Sequence, residues 1–174
     1  MSVLYCPDQV DLRGRRVLFL AGPNRHSPLW RARGIDYLLP KIPPDVVICS
    51  PERLDDRKCG PYSAQQKIEQ MNWERDHLLA ALPKVDMQAG VWLFWLPHPE
   101  QVVPTGRNYG QRTCHELGIS AALIPQGLQV AIGAETGYPG LQSTMHTYEW
   151  FGESAPKLHS SLKEVCDEAL RLLS

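Results

Sequence analysis

Short apolar runs of β type alternate with longer stretches of helical periodicity along the whole chain. Residues 17–21 read as a first strand, stopped by Gly22-Pro23, and a helix is expected over about 29–39. Residues 46–49 form a short second strand ended by Ser50-Pro51, and the polar stretch 54–62 reads as a loop. Ser63 is placed to N-cap a long helix reaching about residue 82, with Ile68, Met71, Leu78, Leu79 and Leu82 on one face. Residues 91–96 are nearly all apolar, as a strand buried on both faces must be. A loop rich in Pro and Gly covers 97–110. Thr113 then caps a helix that ends near Ile124-Pro125. Residues 128–132 read as a fourth strand and 146–150 as a candidate fifth, and a last helix covers about 158–173.

This alternation is the pattern of an α/β domain with a parallel sheet covered on both faces. Ligands of such sheets sit beyond the carboxyl ends of the strands, where the strand order switches. Four segments should meet there: 22–27, 51–62, 97–112 and 133–138.

Composition narrows the picture. A chain of 174 residues suits one domain, and 43% hydrophobic residues suffice for a core. The formal net charge of -1 gives no general attraction to nucleic acid, so a small neutral or mildly polar ligand is expected. Five cysteines, an odd number with no C-x-x-C pair, argue against a zinc ribbon or a disulfide scaffold and for reduced thiols in a cytoplasm. The first 16 residues carry no apolar signal core, and no apolar run approaches the ~20 residues of a membrane span. The six histidines lack metal-ligand spacing, so no metal is expected.

Four constellations have chemistry to offer. Thr113-Cys114-His115-Glu116-Leu117-Gly118 contains a Thr-x-x-Glu capping box, which alone explains it as a helix start. Alternatively, Glu116 is an ionised carboxylate on the first helical turn, favoured by the helix dipole and suited to attack on a sugar carbon. Gly118 would then allow a close approach. In Gln70-Met71-Asn72-Trp73-Glu74-Arg75-Asp76, Glu74 borders the apolar stripe. It is either part of a solvated face or a partly buried general acid with a raised pKa; Asp76 is the weaker candidate. Gly22, Pro23 and Asn24, followed by Arg25, form a plain strand-ending turn or lay backbone N–H groups against a sugar or phosphate, although no P-loop pattern is present. Arg107, Asn108, Tyr109 and Arg112 belong to a polar loop leading into Glu116; they are solvated or orient a sugar, and Arg112 is spaced to hold the Glu116 carboxylate. Cys114-His115 is a weak thiol-nucleophile pattern. Trp92 and Trp95 are expected in the core, with base stacking as the alternative.

Together these segments resemble the nucleoside 2-deoxyribosyltransferase family over roughly residues 17–138. The carriers are Leu18-Phe19-Leu20-Ala21-Gly22-Pro23, the Trp73-Glu74 helix, Leu93-Phe94-Trp95-Leu96-Pro97 and Thr113-x-x-Glu116-Leu117-Gly118. The resemblance implies a doubly wound, mainly parallel five-stranded sheet of flavodoxin-like or Rossmann-like type, and a double displacement. In it Glu116 attacks C1′ of a 2′-deoxynucleoside, Glu74 protonates the departing base, and a second base or water resolves the glycosyl-enzyme. The expected partners are a nucleoside or nucleotide and a free nucleobase, without cofactor, nucleic-acid polymer or membrane, in a homo-oligomer. A nucleoside 5′-monophosphate N-glycosidase is the second reading, motivated by Arg25, Arg107 and Arg112. A catalytically silent nucleotide-binding module is the third.

Overall fold

The computed structural model describes residues 2–54, 62–84, 88–100, 102–103, 105–106, 108–150 and 156–174. The strands are β1 (Ser2–Tyr5), β2 (Arg16–Ala21), β3 (Val46–Ser50), β4 (Val91–Leu96), β5 (Gln129–Ala134) and β6 (Leu158–His159). The helices are α1 (Trp30–Leu38), α2 (Ala64–Ala80), α3 (Gln111–Leu123), α4 (Leu141–Glu149) and α5 (Leu162–Leu173). The six strands form one sheet in the order β1-β3-β2-β4-β5-β6, and every neighbouring pair is parallel.

Alternation along the strands makes two cores. Phe19, Trp92 and Phe94 pack with Trp73 of α2 and Leu117 of α3, whereas Leu18, Leu20, Leu93 and Trp95 pack with Trp30 and Ile35 of α1 and Val165 and Cys166 of α5. The chain therefore winds helices onto both faces, as the alternation predicts. Each wholly buried large apolar side chain contributes roughly 1.5–3 kcal/mol. Trp92 and Trp95 are core residues, and the Trp92 indole N–H donates to the Leu78 carbonyl at 3.0 Å.

Several expectations are corrected. The sheet has six strands rather than five, because Ser2–Tyr5 adds an edge strand outside β3. Residues 146–150 are not a strand: they fall mostly in α4, whose Tyr148 is fully buried and bonded to Ser120 of α3. The last strand is instead Leu158–His159, and α5 starts after it, at a capping box made by Ser161 and Glu164. Thr113 does not cap α3; the helix begins two residues earlier, behind Gly110 in the left-handed conformation, and Thr113 is buried in its first turn. Ser63 does cap α2, through a reciprocal box with Gln66. The buried face of α2 is not the expected apolar stripe, however. Gln70, Trp73, Glu74 and His77 face inward, while Ile68, Met71 and Leu79 are 53%, 52% and 50% exposed.

The β2–β3 connection crosses one face and the β3–β4 connection crosses the other, so the order switches between β2 and β4. Residues pair there as Phe19 with Trp92 and Ala21 with Phe94. Their carboxyl ends mark where a ligand site is expected. Among the described residues, no helix is long and apolar enough to cross a membrane.

Candidate active site

A cavity of about 410 Å³ opens at this switch point. That is within the size range of small-molecule pockets. One wall is the turn after β2: Gly22, Pro23, Asn24, Arg25 and His26 all line it. Gly22 takes φ 145°, and a Cβ there would overlap the Trp95 carbonyl oxygen and crowd Trp30. Only glycine fits this junction of two strand ends. The second wall is α2, through Lys67, Gln70, Met71 and Glu74. The third is the start of α3 and the residues before it, including Asn108, Tyr109, Arg112, Thr113 and Glu116. Of the four expected segments, 133–138 contributes no lining residue; Tyr138 packs behind the site, against Tyr109 and Gly110.

Glu74 and Glu116 meet in the interior. They are 7% and 9% exposed, so the solvated-face alternative for Glu74 does not hold. Arg112 joins them: its Nε lies 2.7 Å from Glu74 Oε2 and 3.6 Å from Glu116 Oε1. Both carboxyls thus approach one guanidinium nitrogen from the cavity wall. Gln70 fixes Glu74 from behind, its amide donating at 2.6 Å both to Glu74 Oε1 and to the Pro51 carbonyl.

Glu116 is the sixth residue of α3, not a first-turn residue, so the helix dipole does not govern its charge. Burial, with Glu74 adding repulsion, pushes its pKa up to about 8 against the pull of Arg112 and Arg31. Burial likewise raises Glu74, opposed by Arg112, the Gln70 hydrogen bond and Arg31. Burial and mutual repulsion thus both work against two negative charges in this pair, while Arg112 and Arg31 work for them.

Asp76 is exposed, pairs with Arg75 at 2.7 Å and is not part of the cavity wall. Cys114 and His115 are also outside the lining, and a Cβ at Gly118 would meet nothing within 4 Å, so no close approach explains that glycine. Tyr109 spends its hydroxyl on the Pro97 carbonyl at 2.9 Å. Arg25 stands over the Tyr62 ring at 5.3 Å, at the cavity's rim. Arg107 lies outside the described residues. Among the described residues no cluster of three His, Cys, Asp or Glu side chains is arranged for a metal ion.

Sequence reading missed Arg31 and Gln70. Arg31 is 3% exposed, and its guanidinium donates to Leu20 O at 3.1 Å, Gly22 O at 2.7 Å, Pro23 O at 3.4 Å and Asn24 Oδ1 at 3.3 Å. A signal existed for both. Arg31 shares a stripe with the buried Gly34, Ile35 and Leu38 at helical spacing, and Gln70 shares one with Trp73, Glu74 and His77. A polar residue on a buried stripe needs a partner or a purpose. The comparison with protein-family models and the comparison with curated proteins return no match for this chain.

Proposed function

We propose that this cavity cleaves or exchanges the N-glycosidic bond of a 2′-deoxynucleoside. The observation that carries the reading is the pair of buried carboxyls, Glu74 and Glu116, bridged by Arg112 at the switch point of the sheet. Glu116 attacks C1′ as a carboxylate while the C1′–N bond breaks. The departing base takes the proton of Glu74, leaving a glycosyl ester on Glu116 and an ionised Glu74. In the second half, an incoming base gives a proton back to Glu74 as its nitrogen attacks C1′, and the ester bond breaks. Water in place of that base gives hydrolysis. Two inversions restore the starting configuration.

Two observations favour the reverse allocation. Burial pushes the Glu116 pKa up to about 8, which suits a proton donor at neutral pH better than an attacking carboxylate. Arg112 is closer to Glu74 than to Glu116, and the charge of Arg112 stabilises whichever carboxylate it approaches more. Glu74 would then be the nucleophile and Glu116 the acid. Mass spectrometry of the protein after soaking with deoxynucleosides tests both. A glycosyl ester mapped to Glu116 supports the first allocation and one mapped to Glu74 the second. Saturable binding with neither ester nor base release sinks the enzymatic reading and leaves a silent nucleotide-binding module.

A free 5′-hydroxyl is favoured over a 5′-phosphate, because Arg112 is occupied by the two carboxyls and Arg25 is at the exposed rim. A strong preference for the monophosphate in kcat/KM, lost in Arg25→Ala, overturns that choice. A cytoplasmic setting agrees with Cys49, Cys114 and Cys166 being free thiols. The exposed Ile68, Met71 and Leu79 support a homo-oligomer, which light scattering tests directly.

A further inference from the structure

Arg31 is a buried cation without a direct counter-charge among the described residues. All four of its hydrogen bonds run to neutral oxygens of residues 20–24, and no carboxylate among the described residues forms an ion pair with it. Buried charges are normally paired, because desolvation is costly. A lysine would satisfy the same packing less well, since one ammonium cannot reach acceptors spread along a turn as the planar guanidinium does. The Trp30 ring lies 4.5 Å beneath the guanidinium carbon, and the Trp30 indole N–H also donates to Pro23 O at 3.2 Å. The turn that forms one cavity wall is thus tied down from α1 by two adjacent side chains.

We propose that Arg31 is a positioning residue with two separable effects: its fork holds the Gly22–Asn24 turn against the end of β2, and its charge, set in the cavity wall it shares with Glu74 and Glu116, favours negative charge on that pair. The inference rests on the reading of those two carboxyls as the reacting groups. Arg31 lines the same cavity as both. Burial lowers the Arg31 pKa to about 10, offset by the attraction of Glu52, Glu116 and Glu74, so it stays charged at neutral pH. The other charge acting on the pair is Arg112 from α3, with the Gln70 amide on Glu74, while Glu52 following β3 and Tyr109 from the loop before α3 act on Arg31 itself. Arg25, His26 and Lys67 line the outer cavity. Arg112 is half exposed and contacts the pair directly; Arg31 acts from the dry side, where water screens its field least.

The test needs no substrate for its first arm. The side-chain carboxyls of Glu74 and Glu116 are followed by 13C NMR against pH in the free protein, with Glu74→Gln and Glu116→Gln for assignment. Arg31→Gln should raise the midpoint of the pair by about a unit, as expected on losing a nearby opposite charge, whereas Arg31→Lys should leave it nearly unchanged. The second arm measures base release from a 2′-deoxynucleoside. Arg31→Lys should raise KM severalfold through a looser turn with the acid limb of the pH profile in place, and Arg31→Gln should move that limb upward as well. If Arg31→Gln does not fold, Arg31→citrulline, assembled by ligation at Cys49, keeps the planar fork and removes only the charge. An unmoved midpoint in the folded neutral variant overturns the electrostatic effect. Unchanged KM in Arg31→Lys overturns the positioning effect. A moved midpoint in a protein that releases no base leaves the Arg31 assignment standing and removes the proposed reaction instead.

Discussion

Helices α2 and α5 are built on opposite plans. α5 turns Val165, Cys166, Ala169 and Leu173 into the core and sends its charged residues outward, so its amphipathic pattern and its packing agree. α2 turns Gln70, Trp73, Glu74 and His77 inward and leaves Ile68, Met71 and Leu79 half exposed. Both start with a capping box, so the same local signal opens two helices with contrary faces. The difference tracks position. α5 covers the sheet face away from the cavity and answers only to packing. α2 forms a cavity wall, and its inward polar groups are arranged around Glu74 or, in the case of His77, donate Nδ1–H to the Trp73 carbonyl at 2.7 Å and stack on its ring. Departure from the usual pattern is expected where a protein keeps its chemistry.

The comparison breaks most sharply at the acids. Glu116→Gln should lower base release by three or more orders of magnitude while the circular dichroism spectrum stays native, because an amide cannot form the glycosyl ester. Near-normal turnover would reduce Glu116 to a buried polar group. Glu74→Gln should cost about a hundredfold on a poor leaving group, the usual worth of a general acid, and little on an activated one. Equal losses on both substrates would take the acid role from Glu74.

A smaller effect concerns stability against pH. In the folded protein burial holds Glu116 near 8, above the ordinary value of 4.5. The unfolded chain therefore loses this proton first as pH rises. The stability linked to it is fully present below about 4.5 and is lost as pH approaches 8. The loss is on the order of 5 kcal/mol, and Glu116→Gln should flatten it. Urea titrations at pH 5 and pH 8 on both proteins read the difference, and parallel slopes would contradict the burial of a charge at this position.

The smallest effects separate the two helices themselves. Leu173→Ala in α5 should cost about 2 kcal/mol, at the low end for a buried leucine because a helix end lets its neighbours close in. Ile68→Ser and Leu79→Ser in α2 should change monomer stability by less than about 0.5 kcal/mol. A large loss in either α2 variant would show that these side chains are already covered in the protein as it exists in solution.

Much of this was legible in the sequence. The apolar runs 17–21, 46–49 and 91–96 carry their own assignment because strands buried on both faces allow little else. Ser2–Tyr5 and Leu158–His159 escaped because edge strands are short and half-covered, and a two-residue pairing has no periodicity to detect. Residues 146–150 misled because Tyr and Trp favour strands locally, while the packing of Tyr148 against Ser120 decides for a helix. Glu74 and Glu116 were found from their neighbours. Arg31 and Gln70 were not, although both lie on buried stripes, because the backbone carbonyls that receive them belong to other elements and leave no mark in the local pattern.

The glycine at the end of β2 has a bearing on redesign. With no room for a side chain at Gly22, the floor of the cavity is main chain and cannot be resculpted by mutation there. Arg25, three residues on, is exposed on the rim and free to vary, while Asn24 is exposed but tied to Arg31 through its side chain. A saturation library over 22, 24 and 25 selected for folded protein should return glycine alone at the first position, hydrogen-bond acceptors most often at the second and broad diversity at the third. The cavity is therefore open to reshaping from the rim inward, with its floor fixed.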